Sequence, residues 1–561
     1  MRRQLIGLLA LALAAAPLAG AAQAQGAGGH EGHAAPGSHP GHGSRAYGDK
    51  LGTVEFPVSC DEEAARELAR GLALLHHMTY EGAREVFAAA AAADPDCAMA
   101  YWGQAMTFIH PLWSDPPSEE DFERGKAFLA TAGSRGEKTA RERAYIAAAE
   151  AYYQAGWNRN EKANLASFEE GWQAVHEGFS DDPEAAALYA LAHLATADPG
   201  DKTYAKQKRS GAIAAEILAR SPDHPGGHHY LIHSYDYPPL AEQALAAARR
   251  YGENAPAVPH ALHMPTHIFT RLGLWEESIT MNERSATAAL EHPAGDQVSL
   301  HFHHALDYVV YAHLQMGNDA KAEEVASTLA GVEGPFQTHL AAAYTLAAVP
   351  ARIALERQRW VEAAALEPRT PADYPWDTAP AIEAITHFAR AIGGARSGKP
   401  EVARQALERL AVLRDEAAKG SPYWAKQVEI QRLAGQAWLE FATGKKEEGL
   451  ATMRAAAELE ATTEKHPVTP GEVLPARELL ADMLLEAERP EEALAAYQAT
   501  LERSPKRFNA LYGAARAAER AGDRAAAERY FQALVEVAGE ASGRSEPMAR
   551  AREFLAGRPS D

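Results

Sequence analysis

The chain has 561 residues, 55 Lys and Arg against 76 Asp and Glu, and a formal net charge of -21, with 47% of its residues hydrophobic. Such a composition builds a large core and excludes a disordered or collagenous chain. The negative charge argues against nucleic acid and anionic membranes, which need a basic face, and two cysteines exclude a disulfide scaffold or a four-thiolate zinc site. At roughly 150 residues per domain the length predicts three or four domains, a prior that repeat architectures break.

Residues 1–24 read as a secretory signal peptide. Met1-Arg2-Arg3 is a basic start, Leu5 to Leu18 an apolar run, and Ala22-Gln23-Ala24 a small-x-small cleavage site. The apolar run is too short for a spanning helix of ~20 residues, so an exported protein is expected, periplasmic or secreted. Residues 25–50 turn to Gly, Pro and His, with His30, His33, His39 and His42. That stretch is expected to be disordered, as a spacer or as a loose metal-holding tract. Cys60 and Cys97 become a disulfide in an exported compartment if their geometry allows it.

The rest is rich in Ala, Leu and Glu at helical spacing, with almost no alternating β-branched runs, which predicts an all-α fold. A repeat lies under this pattern. Tyr80, Ala83, Phe87, Ala90 and Pro95, with Gly71 upstream, recur as Ala244, Ala248, Tyr251 and Pro256, and 34 residues later as Gly273, Trp275 and Ser278. Ala493, Tyr497 and Pro505 are followed 34 residues on by Gly522, Ala527 and Phe531. Weaker copies centre on Ala322, Ala363, Ala403 and Gly449. Small residues let the two helices of a hairpin approach, an aromatic fills the gap and proline stops the second helix, so that stacked hairpins bury a continuous core.

This frame resembles the tetratricopeptide (TPR) repeat, and the resemblance implies a right-handed helical-hairpin solenoid. Between Pro111 and Asp181 the frame is lost and extra helices are expected. The organisation that follows is an N-terminal array over residues 51–366, a proline-rich linker at 367–380 and a C-terminal array over 381–561.

In TPR proteins the first helix of each hairpin lines a concave groove. Registering the repeats places His229, His233 and Asp236 on that face of one helix, His260, His263 and His267 on the next, and His304, Asp307 and Tyr311 on a third. The first two trios also fall on one helix face by their spacing alone. Adjacent helices pack ~8–10 Å apart, so these imidazoles can converge. Neutral imidazoles with one or two carboxylates suit Zn, Cu, Ni or Fe. The expected ligands are His229, His233, His263, His267 and Asp307, with His260 and His304 orienting them and Asp236 as a further carboxylate.

Pro265 sits inside the helix carrying His263 and His267, where it removes a backbone hydrogen bond. Either the helix kinks there or Pro259 opens a short turn and Pro265 restarts the helix.

The block from His260 to Trp275, His-x-x-His-Met-Pro-Thr-His-Ile-Phe-x-Arg-x-Gly-x-Trp, resembles one that recurs in exported bacterial TPR-repeat proteins. Leu74 to Tyr80 and Asp94 to Gly103 resemble the opening of the same family. That likeness implies the fold and export, and it carries no reaction. Partner-binding candidates are Met99, Trp102 and Met106 on an apolar face, Tyr311 in the groove, and Asn509, Tyr512 and Arg516 near the C-terminus. No phosphate-binding loop, nucleophile elbow, His-Glu-x-x-His or Cys-x-x-Cys is present. The sequence therefore predicts a scaffold that holds a transition metal and a protein or peptide partner. A metal-independent interaction module and a metal-dependent enzyme are the alternatives.

Overall fold

The computed structural model describes residues 47–113, 115–157, 161–332, 334–539 and 542–557. The segment read as a signal peptide and most of the Gly/His-rich segment lie outside them. The described residues form twenty-six α-helices and two 3-10 turns. Only two isolated β-bridges, Ala294 with Gln297 and Val298 with Phe336, depart from the all-α pattern.

Hairpins form where the repeat frame predicts them. Glu62–His76 packs on Tyr80–Ala93, which packs on Ala98–Met106. Phe87 is fully buried and wedges between two glycines: a Cβ on Gly71 would lie 2.6 Å from its ring and one on Gly103 2.4 Å. The aromatic of one hairpin therefore sets its distance from the next, as close packing requires. Proline opens the helices at Pro183, Pro225, Pro400 and Pro490, where its missing N–H is an orphan in any case. The fold is a TPR-type stack of helical hairpins.

The interruption expected after Pro111 holds Glu119–Ser134, Ala140–Gln154 and Glu161–Gly178. Ser118 caps the first of these, and Thr139 with Glu142 forms a reciprocal capping box on the second.

The sequence reading sets two arrays on either side of residues 367–380. Residues 43–561 form one compact unit, and the apolar core changes hands earlier than the proline-rich stretch. One cluster runs from Leu51 to Phe269 and another from Ala342 to Ala517. Residues 367–380 are docked, not free. Tyr374 and Trp376 are buried, the Tyr374 hydroxyl donates to the carbonyl of His339 at 3.0 Å, and Arg369 pairs with Glu383 at 2.9 Å.

The C-terminal half also folds back over the N-terminal half. Lys202 meets Glu464 at 2.6 Å, Lys465 meets Asp236 at 3.0 Å, and the Trp275 indole donates to the carbonyl of Lys506 at 3.0 Å. The expected concave groove is thus occupied by the chain's own residues 463–475.

Cys60 and Cys97 form a disulfide with Cα atoms 5.0 Å apart, tying the segment before Glu62 to the residue that precedes Ala98–Met106. It closes 37 residues of chain, which by loop entropy is worth ~2–4 kcal/mol. Replacing both cysteines by Ala should lower the stability measured by urea unfolding by about that amount. An unchanged midpoint under oxidising conditions would refute the bridge's role.

Candidate metal centre

The histidines sit on helices whose approach is set by small residues. Pro225–Tyr235 begins at proline and is capped by His224, whose Nδ1 accepts from the amide of Gly227 at 3.1 Å. A Cβ on Gly226 would lie 2.7 Å from Nδ1 of His76, so only glycine lets this helix reach the end of Glu62–His76. The next element is split, as one reading of Pro265 predicts. Pro259–His263 is a single turn, and Pro265–Leu272 restarts beyond Met264 and ends at Gly273 with φ of 65°. Leu300–Gln315 brings His304.

Among the described residues, four groups hold ligand atoms within 4.8 Å of one another: His229/His233/His260, His263/His267/His304, His76/Glu184/His224 and Cys60/Asp94/Cys97. Hydrogen-bond chemistry separates them. The cysteines are spent in the disulfide. His76 Nε2 meets Glu184 at 2.7 Å while its Nδ1 meets the Tyr230 hydroxyl at 2.9 Å, and His224 Nε2 meets the other Glu184 oxygen at 3.1 Å. Each N–H there finds an acceptor and each lone pair a donor. Burial would raise the Glu184 carboxyl, but His224 and His76 outweigh it and hold it at about 2. This group is a satisfied structural network.

The His263/His267/His304 trio cannot be satisfied that way. His267 Nδ1 faces the Asp236 carboxylate at 2.9 Å, and a carboxylate only accepts, so the proton is on Nδ1. His263 Nδ1 faces Asn282 Oδ1 at 2.7 Å. That oxygen is assigned by the Asn282 amide group, which donates to the carbonyl of Ser278 at 2.9 Å, so His263 also carries its proton on Nδ1. Both Nε2 atoms then present bare lone pairs, 3.0 Å apart. Burial lowers the pKa of both rings, and Lys465 adds to the effect, so a shared proton is disfavoured as well. His304 lies beside them, its ring 4.2 Å from that of His263 and its Nδ1 without a hydrogen-bond partner.

The His229/His233/His260 trio is held at one ring only. His229 Nδ1 donates to the carbonyl of His76 at 2.6 Å, leaving its Nε2 lone pair 3.2 Å from Nε2 of His260. Nδ1 of His260 and Nε2 of His233 have no partner. Burial holds His229, His260 and His304 well below the usual imidazole range and His233 at about 3. A cavity of about 40 Å³ touches both trios through His233, His260, His267 and His304.

The two carboxylates are each engaged by protein cations. Asp307 is fully buried against Arg352, and burial raises its carboxyl to about 6 even so. Asp236 supports His267 from behind while bonded to Arg271 at 2.8 Å and Lys465 at 3.0 Å. The face of Met99, Trp102 and Met106 is turned into the core. All three are buried, and Trp102 packs against Phe56, Tyr145 and Trp172. Helical spacing alone does not distinguish a groove stripe from a core stripe. Tyr311 is buried and accepts from Arg507 at 3.1 Å, and Asn509 donates to Glu356 at 2.7 Å. Tyr512 and Arg516 remain partly exposed and line a cleft of about 210 Å³.

Asn282, Lys465 and two residues lining the small cavity, His339 and His466, were missed in the sequence. Asn282 is on the second helix of its hairpin, which faces away from the groove in the repeat frame. The others lie in non-helical stretches that no periodicity marks.

No protein-family model and no curated protein matches the sequence. Solved structures give distant likenesses. Yeast Tom70 is 12% identical over 89% of this chain and 90% of its own, with a TM-score of 0.29. A human IFIT1 dimer with PPP-AAAA is 12% identical over 86% and 92%, at 0.36, and the P58(IPK) TPR domain 12% identical over 88% and 98%, at 0.19. At such values the candidate centre rests on the chain's own geometry.

The buried imidazoles predict a pH dependence. His77 titrates at about 3 and His303 at about 4 in the folded chain, both pushed down by burial, against ~6.5 when unfolded. Below pH ~6.5 the unfolded chain binds protons that the native chain does not. Stability therefore falls with falling pH, by ~1.4 kcal/mol per pH unit for each such histidine. Thermal melts of metal-free protein from pH 7.5 to 5 should show a steep decline starting near 6.5. A flat profile would contradict the burial.

Proposed function

We propose that the chain is an exported, non-catalytic helical-hairpin scaffold that holds a transition metal in its interior, with His263, His267 and His304 as ligands. The observation that carries this reading is the pair of lone pairs 3.0 Å apart on His263 and His267. Two imidazole nitrogens that both lack a proton repel, unless a cation binds them together. Each ring is also fixed from behind, His267 by Asp236 and His263 by Asn282, the arrangement that orients metal-ligating histidines and raises their basicity. Imidazole ligands suit Zn, Cu, Ni or Fe. The basic, apolar and small-residue leader supports export, and no helix among the described residues is long and apolar enough to cross a membrane.

Full-length protein carrying Ala at His30, His33, His39 and His42, purified and analysed for metal, should retain a stoichiometric ion. His263→Ala with His267→Ala should abolish it, and Asn282→Ala should weaken affinity by about 10–100-fold while leaving the ligands in place. A metal-free protein that takes up no added ion would refute the reading.

The partner-binding part of the proposal rests on the cleft beside Tyr512 and Arg516. Arg516 donates to the Tyr512 hydroxyl at 3.0 Å, and Trp360, Arg396 and Arg520 line the same cleft with Glu478, Asp482 and Glu486, a mixed set of both charges and aromatic rings suited to a polar peptide segment. Arg516→Glu should lose captured proteins in a pull-down from periplasmic extract. An unchanged set would argue against the cleft.

A further inference from the structure

The two histidine trios belong together. His260 and His263 lie three residues apart on one turn, and they enter different trios. Across the boundary the rings of His260 and His263 are 6.4 Å apart and those of His233 and His267 are 6.1 Å apart. One small cavity is bounded by His233 and His260 from the first trio and by His267 and His304 from the second. In the first trio His229 commits its Nδ1 proton to the carbonyl of His76, and Nδ1 of His260 and Nε2 of His233 have no partner; in the second, Asn282 and Asp236 hold Nδ1 of His263 and His267. Each trio brings three ligand nitrogens within 4.8 Å of one another.

We infer that the trios hold a pair of monovalent copper ions, one on His229, His233 and His260 and one on His263, His267 and His304. The inference rests on the metal-binding reading of the second trio. Its new content is the second ion and the charge state of both.

Charge selects the metal. Neither trio contains a carboxylate or thiolate. The nearest carboxylate, Asp236, is already outnumbered by Arg271 and Lys465, and Asp307 is paired with Arg352. The wall around the cavity therefore offers no negative charge to offset the ions. Repulsion scales with the product of charges, so two divalent ions repel about fourfold more than two monovalent ones at the same spacing. Among the metals that imidazole suits, copper is the one with a stable monovalent state, and three neutral nitrogens complete its trigonal coordination.

The test is anaerobic titration of the full-length chain, with Ala at the four tail histidines, using Cu(I) against a chromogenic Cu(I) chelator and, separately, Zn(II). Two equivalents of Cu(I) and at most one of Zn(II) are expected. His233→Gln should remove one Cu(I). The Nε2 atom of His233 has no hydrogen-bond partner, so the substitution takes away a ligand without breaking a bond. His263→Gln with His267→Gln should remove the other equivalent, with circular dichroism confirming that each variant is folded. A single Cu(I), lost only on changing His263 and His267, overturns the pair and leaves the metal-binding scaffold standing. Two equivalents of Zn(II) overturn the monovalent assignment, and no uptake of any ion overturns both readings.

Discussion

Asp236 is the point on which the centre depends. It follows the last residue of the helix Pro225–Tyr235, is almost fully buried, and accepts from Arg271, Lys465 and His267. An isolated buried carboxylate would cost several kcal/mol, and its three partners come from the helix Pro265–Leu272 and from a segment more than 220 residues away. One charge thus joins two hairpins of the N-terminal half to the C-terminal half and fixes the tautomer of His267. Burial works against its ionisation, yet Lys465 and Arg271 hold it well below the usual carboxylate range.

The same logic distinguishes the two kinds of histidine network in the molecule. Around Glu184 the donors and acceptors match, and the buried carboxylate is balanced by His76 and His224. Around His263 and His267 they do not match, because carboxylate and amide oxygens have taken both Nδ1 protons. Clusters of similar composition differ in chemistry through the atoms behind the rings. The 2-His-1-carboxylate grouping, which resembles a metal site on composition alone, is the satisfied one.

Much of this was legible in the sequence and some was not. The repeat frame located the hairpins because Gly71, Phe87 and Ala90 report packing distances that any stack of this kind must satisfy. It also placed His229, His233, His260, His263, His267 and His304 on neighbouring faces, since a helix fixes which residues share a side. The roles of Asp236 and Asp307 were illegible: a carboxylate on the right face serves as ligand or support according to which cation packs behind it, and Arg352 and Lys465 arrive from distant sequence. Met99, Trp102 and Met106 show the same limit, because a stripe at helical spacing has one appearance whether it faces a groove or a core.

The covering segment gives the centre a temporal order. All six imidazoles precede residue 305, whereas Lys465, His466 and Pro467, which close over them, come some 160 residues later in the chain. A polypeptide made from its N-terminus presents the complete donor set before the residues that seal it exist. On the proposed metal-binding reading, an ion would have to reach the six donors before the last hairpins cover them. Once Tyr308 has bonded to the carbonyls of Pro467 and Thr469, exchange requires that this cover lift. The cover thus ties access to the six imidazoles to the part of the chain made last.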